Sequence, residues 1–171
     1  MRKELEPNRE VAEKLYPQIK ELIEEYTEYC DEYGDEENIE YKKLENKLHE
    51  MTGKDISQYN LSEYWEGEGL EVLSFRISLP DPNVVYDITK EELTEMIRRL
   101  KQDSLEVNSE VNDENDFKEL FNCYLGDYYR KLLEVNFKKY KHGYFNRQKG
   151  KNGEYFEYEV DEIAEKLWDK K

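Results

Sequence analysis

The side chains able to do chemistry are unevenly supplied. Of 171 residues, 42 are Asp or Glu, whereas only His49 and His142 are imidazoles and only Cys30 and Cys123 are thiols. Two carboxylates can act as general acid and base, but in so acidic a chain some pair reaches glycosidase-like spacing by chance, so abundance marks no dyad. The histidines form no His-x-x-x-His or His-Glu-x-x-His pattern, the spacing that places ligands on one helix face, and His49 beside Leu48 reads as partly buried packing. The cysteines lie outside any Cys-x-x-Cys spacing, which encodes neither a zinc site nor a disulfide framework; two buried thiols acting as small hydrophobes are expected. Gly67-Glu68-Gly69 lacks the third glycine and the preceding strand of a dinucleotide loop. Pro80-Asp81 has no Glu-x-Lys on a following strand, and Asp113-Glu114-Asn115-Asp116 lacks the glycine and the closing glutamate of an EF-hand loop. There is no P-loop and no Gly-x-Ser-x-Gly turn. The expectation is therefore a protein that is not an enzyme and holds no metal or cofactor.

Charge is the more informative chemistry. The net charge of −16 argues against a general binder of nucleic acid or anionic membrane, unless the 26 basic residues are segregated. They are partly so. Residues 130 to 152 hold eight bases and one acid, while residues 1 to 70 hold 20 acids and nine bases. Within the acidic part, Glu21, Glu24, Glu25, Glu28, Asp31, Glu32, Asp35, Glu36 and Glu37 follow one another without a single Lys or Arg. On a helix the members from Glu21 to Glu32 form one stripe, where like charges three and four apart repel by a few tenths of a kcal/mol per pair. Relief by Lys42, Lys43 and Lys47 of the next helix is one expectation. The other is a surface kept anionic for a basic partner, with Tyr29 as an anchor. At about 1.5 Å per residue the nine acids span roughly 24 Å, or about one charge per 3 Å against one per 1.7 Å of duplex axis. A full nucleic-acid mimic would need a second ridge, for which Asp103, Glu106, Glu110, Asp113, Glu114, Asp116 and Glu119 are candidates.

The basic island comprises Arg130, Lys131, Lys138, Lys139, Lys141, Arg147, Lys149 and Lys151, interleaved with Phe137, Tyr140, Tyr144 and Phe145. That mixture suits a single-strand groove. Internal compensation is the competing expectation, by lysines in a last helical turn and by Arg147 facing Glu157 or Glu159 across a hairpin. Repulsion from the rest of the chain weighs against direct nucleic-acid binding.

The elements that must position these groups follow from periodicity. Apolar residues Val11, Leu15, Ile19, Leu22, Ile23, Tyr26, Cys30 and Tyr33 predict an amphipathic helix closed by Gly34, kinked at Tyr16 or restarting at Pro17. A second helix is expected over 39–51, turns over 56–70, and a strand at Glu71–Leu79, which has β-branched and aromatic residues and is stopped by Leu-Pro-Asp-Pro-Asn. Val84-Val85-Tyr86 reads as a second short strand. Thr89 and Glu92 form a capping box for a helix to Lys101. A long helix from Asp116 to about Lys141 carries Gly126 inside it, at a cost of about 1 kcal/mol against alanine. Tyr144–Gln148 and Glu154–Val160 predict a C-terminal hairpin, and Asp161 caps a last short helix.

Leu, Ile, Val and Phe make up 39 of the 171 residues, just above the roughly 20 per cent below which a charged chain stays disordered. The expectation is one compact α+β domain over residues 1 to 171, about five helices packed on a small, mainly antiparallel sheet. No apolar run suits a signal peptide or a membrane span, which predicts a cytoplasmic protein with no membrane partner. Small size, excess acid and no catalytic motif are shared, as a physical type, by immunity proteins and virus-encoded inhibitors of nucleic-acid-guided defence. The expected function is an acidic, protein-binding inhibitor, in part a nucleic-acid mimic, of a basic nuclease or nucleic-acid-guided effector. Its contact residues would be Glu21, Glu24, Glu25, Glu28, Tyr29, Asp31, Glu32, Asp35 and Glu36. Two alternatives stay open: an accessory protein contacting nucleic acid through Arg130, Lys138, Lys139, Lys141 and Arg147, and a hydrolase whose carboxylates converge only in the fold.

Overall fold

The computed structural model describes residues 1–106 and 116–168. Among the described residues run seven α-helices, α1 (Arg9–Tyr33), α2 (Ile39–Thr52), α3 (Leu70–Ser78), α4 (Lys90–Glu106), α5 (Asp116–Cys123), α6 (Gly126–Asn136) and α7 (Val160–Leu167). The strands are β1 (Gln148–Lys149) and β2 (Tyr155–Phe156), one antiparallel pair in the register Gln148 to Phe156 and Lys149 to Tyr155. The expected α+β class is thereby corrected. Among the described residues the fold is mostly helical, and its strands form only a two-stranded antiparallel hairpin. None of the described helices is long and apolar enough to cross a membrane.

The correction turns on α3. Leu73, Phe75, Ile77 and Leu79 alternate with Ser74, Arg76 and Ser78, the pattern of a half-buried strand. The segment is instead helical, and Ser74 and Ser78 are buried along with the apolar residues. Leu73 and Ile77 face one cluster while Phe75 meets the rings of Phe117 and Phe121 at 5.8 and 6.3 Å, so a helix buried on several sides mimics alternation. A lone strand would also leave its backbone donors unpaired, whereas a helix satisfies its own. Val84-Val85-Tyr86 forms no strand either, since the Val85 N–H donates to Asn136 Oδ1 at 2.6 Å.

The chain divides into two compact units. The first holds Asn8–Pro80 and Val111–Tyr124, hence α1, α2, α3 and α5. Its core joins Ile19, Ile23 and Tyr26 of α1, Leu44 and Leu48 of α2, Ile56 and Leu61 of the turns, and Leu73 and Ile77 of α3. Helix α1 is continuous through Pro17, so no restart occurs there. Asn8 Oδ1 accepts the Val11 N–H at 3.3 Å at its start, and Gly34, at φ 72°, closes it by donating to the Cys30 carbonyl at 2.9 Å. That left-handed conformation favours glycine because it has no Cβ to clash.

The second unit holds Met1–Pro7, Asp81–Glu110 and Leu125–Lys171. Helix α4 packs on α6 and α7, burying Leu93, Met96, Ile97, Leu100, Leu132, Leu133, Ile163 and Leu167. The Thr89–Glu92 capping box forms, with reciprocal bonds of 2.9 and 3.2 Å. The N-terminal segment is tied in by Glu6, whose carboxylate receives Arg99 Nη1 at 3.0 Å. The same guanidinium meets Tyr129 Oη at 2.7 Å and, through Nε, Glu95 at 2.8 Å. Arg98 first, then Arg99, hold the Glu95 carboxyl down to about 2 against its partial burial. Burial pushes the Tyr129 phenol up to about 12.

The expected helix from Asp116 to Lys141 is broken. The Tyr124 N–H closes α5 on Leu120 while that of Tyr129 opens α6 on Leu125, and the chain changes units between them. Gly126 begins α6 instead of weakening an interior. The hairpin pairs only two residues per strand, with Tyr144 and Phe145 in a 3-10 turn before it. Helix α7 starts at Val160, so Asp161 lies in its first turn, and the Glu159 N–H donates to Glu162 at 2.8 Å.

Candidate functional site

Two stretches of the chain, one acidic and one basic, display exposed charge. The first belongs to α1. Because Ala12, Ile19, Ile23 and Tyr26 bury one face, the 3.6-residue period turns Glu21, Glu24, Glu25, Glu28, Asp31 and Glu32 to the opposite one. All six are exposed. Over Glu21 to Glu32 they line roughly 16 Å of helix, again about one charge per 3 Å. Among the described residues none of the six is ion-paired with a Lys or Arg. Lys20 of the same helix reaches Glu71 at 3.0 Å, and Lys43 reaches Glu40 of its own helix at 2.6 Å, so relief by α2 does not occur.

The strip ends in a structural contact. Asp35 accepts the backbone N–H groups of Ile39, Glu40 and Tyr41 at 2.8, 3.2 and 2.8 Å, serving the donors that the first turn of α2 leaves open. Burial favours its neutral form, but those three donors and the Tyr26 hydroxyl prevail and hold its carboxyl below the usual range. Asp35 therefore builds the α1–α2 turn, while Glu36 and Glu37 beside it are exposed.

Tyr29 and Tyr33, 40 and 67 per cent exposed, lie with ring centroids 5.1 Å apart at the C-terminal end of the strip. Tyr29 also borders a groove of about 430 Å³ between α1 and α2, with Leu22 and Glu25 on one wall and Glu40, Lys43 and Lys47 on the other. Tyr33, which the helical period aligns with the apolar face, is the most exposed ring of α1. In the proposed second ridge, Glu119 is exposed on α5, and the side chains of Asp103, Glu106, Glu110, Asp113, Glu114 and Asp116 lie outside the described residues.

The second surface lies in the other unit. Part of the basic island is compensated, since Arg130 pairs with Asp127 and Lys131 with Asp81 at 2.8 Å. Helix α6 ends at Asn136 with no base in its last turn, so Lys138, Lys139 and Lys141 do not serve its dipole as expected; all three are exposed. Arg147 forms no ion pair with Glu157 or Glu159; its guanidinium sits 6.0 Å from the centroid of the Tyr155 ring. Tyr155 and Phe156, 62 and 44 per cent exposed, were not singled out by the sequence, where only the aromatic cluster Tyr155-Phe156-Glu157-Tyr158 hints at them.

The remaining reactive residues are quiet. Cys30 and Cys123 are free and half-buried, less enclosed than expected. His49 is exposed at the end of α2, with Nδ1 2.7 Å from the Lys54 carbonyl oxygen. Among the described residues no group of three or more His, Cys, Asp or Glu gathers at metal-binding distance. A groove of about 440 Å³ near Glu63 and Glu66 includes Glu68, but both oxygens of Glu68 are bound by Arg76 Nη1, at 2.7 and 2.8 Å. Searches against protein-family models, curated proteins and solved structures found no match to this chain.

Proposed function

We propose that this protein is an acidic binding protein that inhibits a basic, nucleic-acid-handling partner, with the outer face of α1 as its recognition surface. The observation that carries the reading is the row Glu21, Glu24, Glu25, Glu28, Asp31 and Glu32, exposed and without a cationic partner among the described residues. Such a row repels itself, and surface glutamates are ordinarily relieved by lysines at the same offsets. A cationic partner supplies the missing relief. Uncompensated charge on a rigid helix raises the rate of encounter with such a partner by long-range attraction, and the Tyr29–Tyr33 pair offers apolar area with little conformational cost once contact is made. The charge density, below that of duplex DNA, fits partial mimicry of one phosphate strand better than replacement of a duplex. The partner classes this suits are a nuclease, in the manner of immunity proteins, and a nucleic-acid-guided effector of antiviral defence.

The test begins with capture of the partner on the tagged full chain, followed by stopped-flow association. Changing Glu24, Glu25 and Glu28 together to Lys is expected to slow association about tenfold or more at low salt, with a smaller change in dissociation. The difference should shrink as salt rises. An unchanged on-rate removes α1 from the interface.

A further inference from the structure

We infer that the outer face of the β1–β2 hairpin is a contact surface for single-stranded nucleic acid. The register places Lys149 directly opposite Tyr155, hence on the same face, and Arg147 lies over the Tyr155 ring at 6.0 Å. Lys151 is an exposed residue of the turn between the strands. Among the described residues Arg147, Lys149 and Lys151 pair with no carboxylate. The nearest acid in the turn, Glu154, accepts instead from Asn152 Nδ2 at 2.6 Å.

The other face of the hairpin is structural. Phe156 packs on Tyr158 at 5.3 Å, and Tyr158 meets Tyr144 at 6.2 Å and Lys166 Nζ at 4.3 Å. That leaves Tyr155, at 62 per cent exposure, as a ring presented to solvent beside Arg147 and Lys149, with the exposed Glu157 two residues further along the chain. An exposed ring and a guanidinium plane both stack on a base only when that base is unstacked, while lysines track the phosphates; the combination therefore selects a single strand over a duplex. The net charge of −16 does not forbid it, because charges more than about 8 Å apart are largely screened at physiological salt and Arg147, Lys149 and Lys151 form no ion pair among the described residues.

The inference stands apart from the reading of α1, and its test needs no partner. Anisotropy of a labelled, unstructured strand of about 20 nucleotides, as RNA and as DNA, is titrated with the purified full chain. Binding is expected at low salt and should weaken roughly tenfold or more between about 50 and 200 mM, as neutralising three phosphates requires. Tyr155→Ala should weaken it roughly fivefold or more, whereas Tyr155→Phe retains the stacking face and stays near wild type. Arg147→Glu combined with Lys149→Glu should abolish it. All are surface changes, and an unaltered thermal melt shows that they fold. The inference is overturned if no strand binds at low salt, or if Tyr155→Ala binds as the wild type does. It is equally overturned if sedimentation shows a salt-labile dimer that Arg147→Glu dissolves, for then the occupant is the acidic helix of a second copy.

Discussion

The acidic face of α1 and the basic face of the hairpin are opposite in sign and also in construction. Residues 8–80 hold 19 acids and eight bases, while residues 125–171 hold nine acids and eleven bases. In the first, charge is displayed by a 25-residue helix whose other face is locked into a core, so every glutamate is placed by packing on the far side. In the second, cations project from irregular chain and a two-residue-per-strand hairpin held by ring contacts. The difference teaches that net charge is a poor guide to a surface. One total of −16 conceals a strip of glutamates and a hairpin trio, Arg147, Lys149 and Lys151, that form no ion pair among the described residues.

That contrast can be broken at its scaffold. Ile23 is fully buried beneath the strip, and Ile23→Ala is expected to cost about 2–4 kcal/mol through lost contacts and a residual cavity. Phe156→Ala, at a site already 44 per cent exposed, should cost less than about 1 kcal/mol. Denaturant melts of the two variants measure the difference; equal losses would mean that the hairpin is as tightly built as the helix.

A smaller effect separates the units by pH. The Glu95 carboxyl is depressed from 4.5 to about 2 by Arg98 and Arg99, so its stabilisation is fully present above pH 4.5 and is lost as pH falls through about 2. Allowing for solvent screening, the contribution is about 1 kcal/mol. Glu95→Gln should therefore lower stability at pH 7, with the gap to wild type closing toward pH 2. A gap independent of pH would place the loss in packing and not in charge.

The smallest effect is the most pointed. Glu28 lies four residues from Glu24 and Glu32 and three from Glu25 and Asp31, and Glu28→Lys turns these four repulsions into attractions. Stability should rise by a few tenths of a kcal/mol, read as a melting temperature higher by a degree or two. A gain in stability together with slower partner association would show that the strip is retained for binding at the expense of the fold. A lower melting temperature would show that the fold needs it.

Much of the local structure was legible from residue order. The α1 period, its Gly34 stop, the extent of α2, the Thr89–Glu92 box and the existence of a terminal hairpin all follow from interactions within a few residues of each other. So does the single charged face, because a helix with its apolar residues at three- and four-residue steps has only one side left for the glutamates. Helix α3 was not legible, since a helix buried on several sides loses its polar face and with it the 3.6-residue signature. The break between α5 and α6 left no local trace beyond Gly126, because it is set by where the chain passes from one unit to the other.

Partnership was decided at longer range still. Sequence placed Lys42, Lys43 and Lys47 near the strip and Arg147 near Glu157, but ion pairing depends on distances of a few ångströms across elements. In the fold Lys43 turns to Glu40 and Arg147 to Tyr155. Asp35 was indistinguishable from its acidic neighbours until the α2 backbone arrived to donate three hydrogen bonds to it. Residue order was enough to say where charge accumulates, because helical periodicity is local. Which charges are left over could be known only after folding, because compensation is a property of side chains that meet through space.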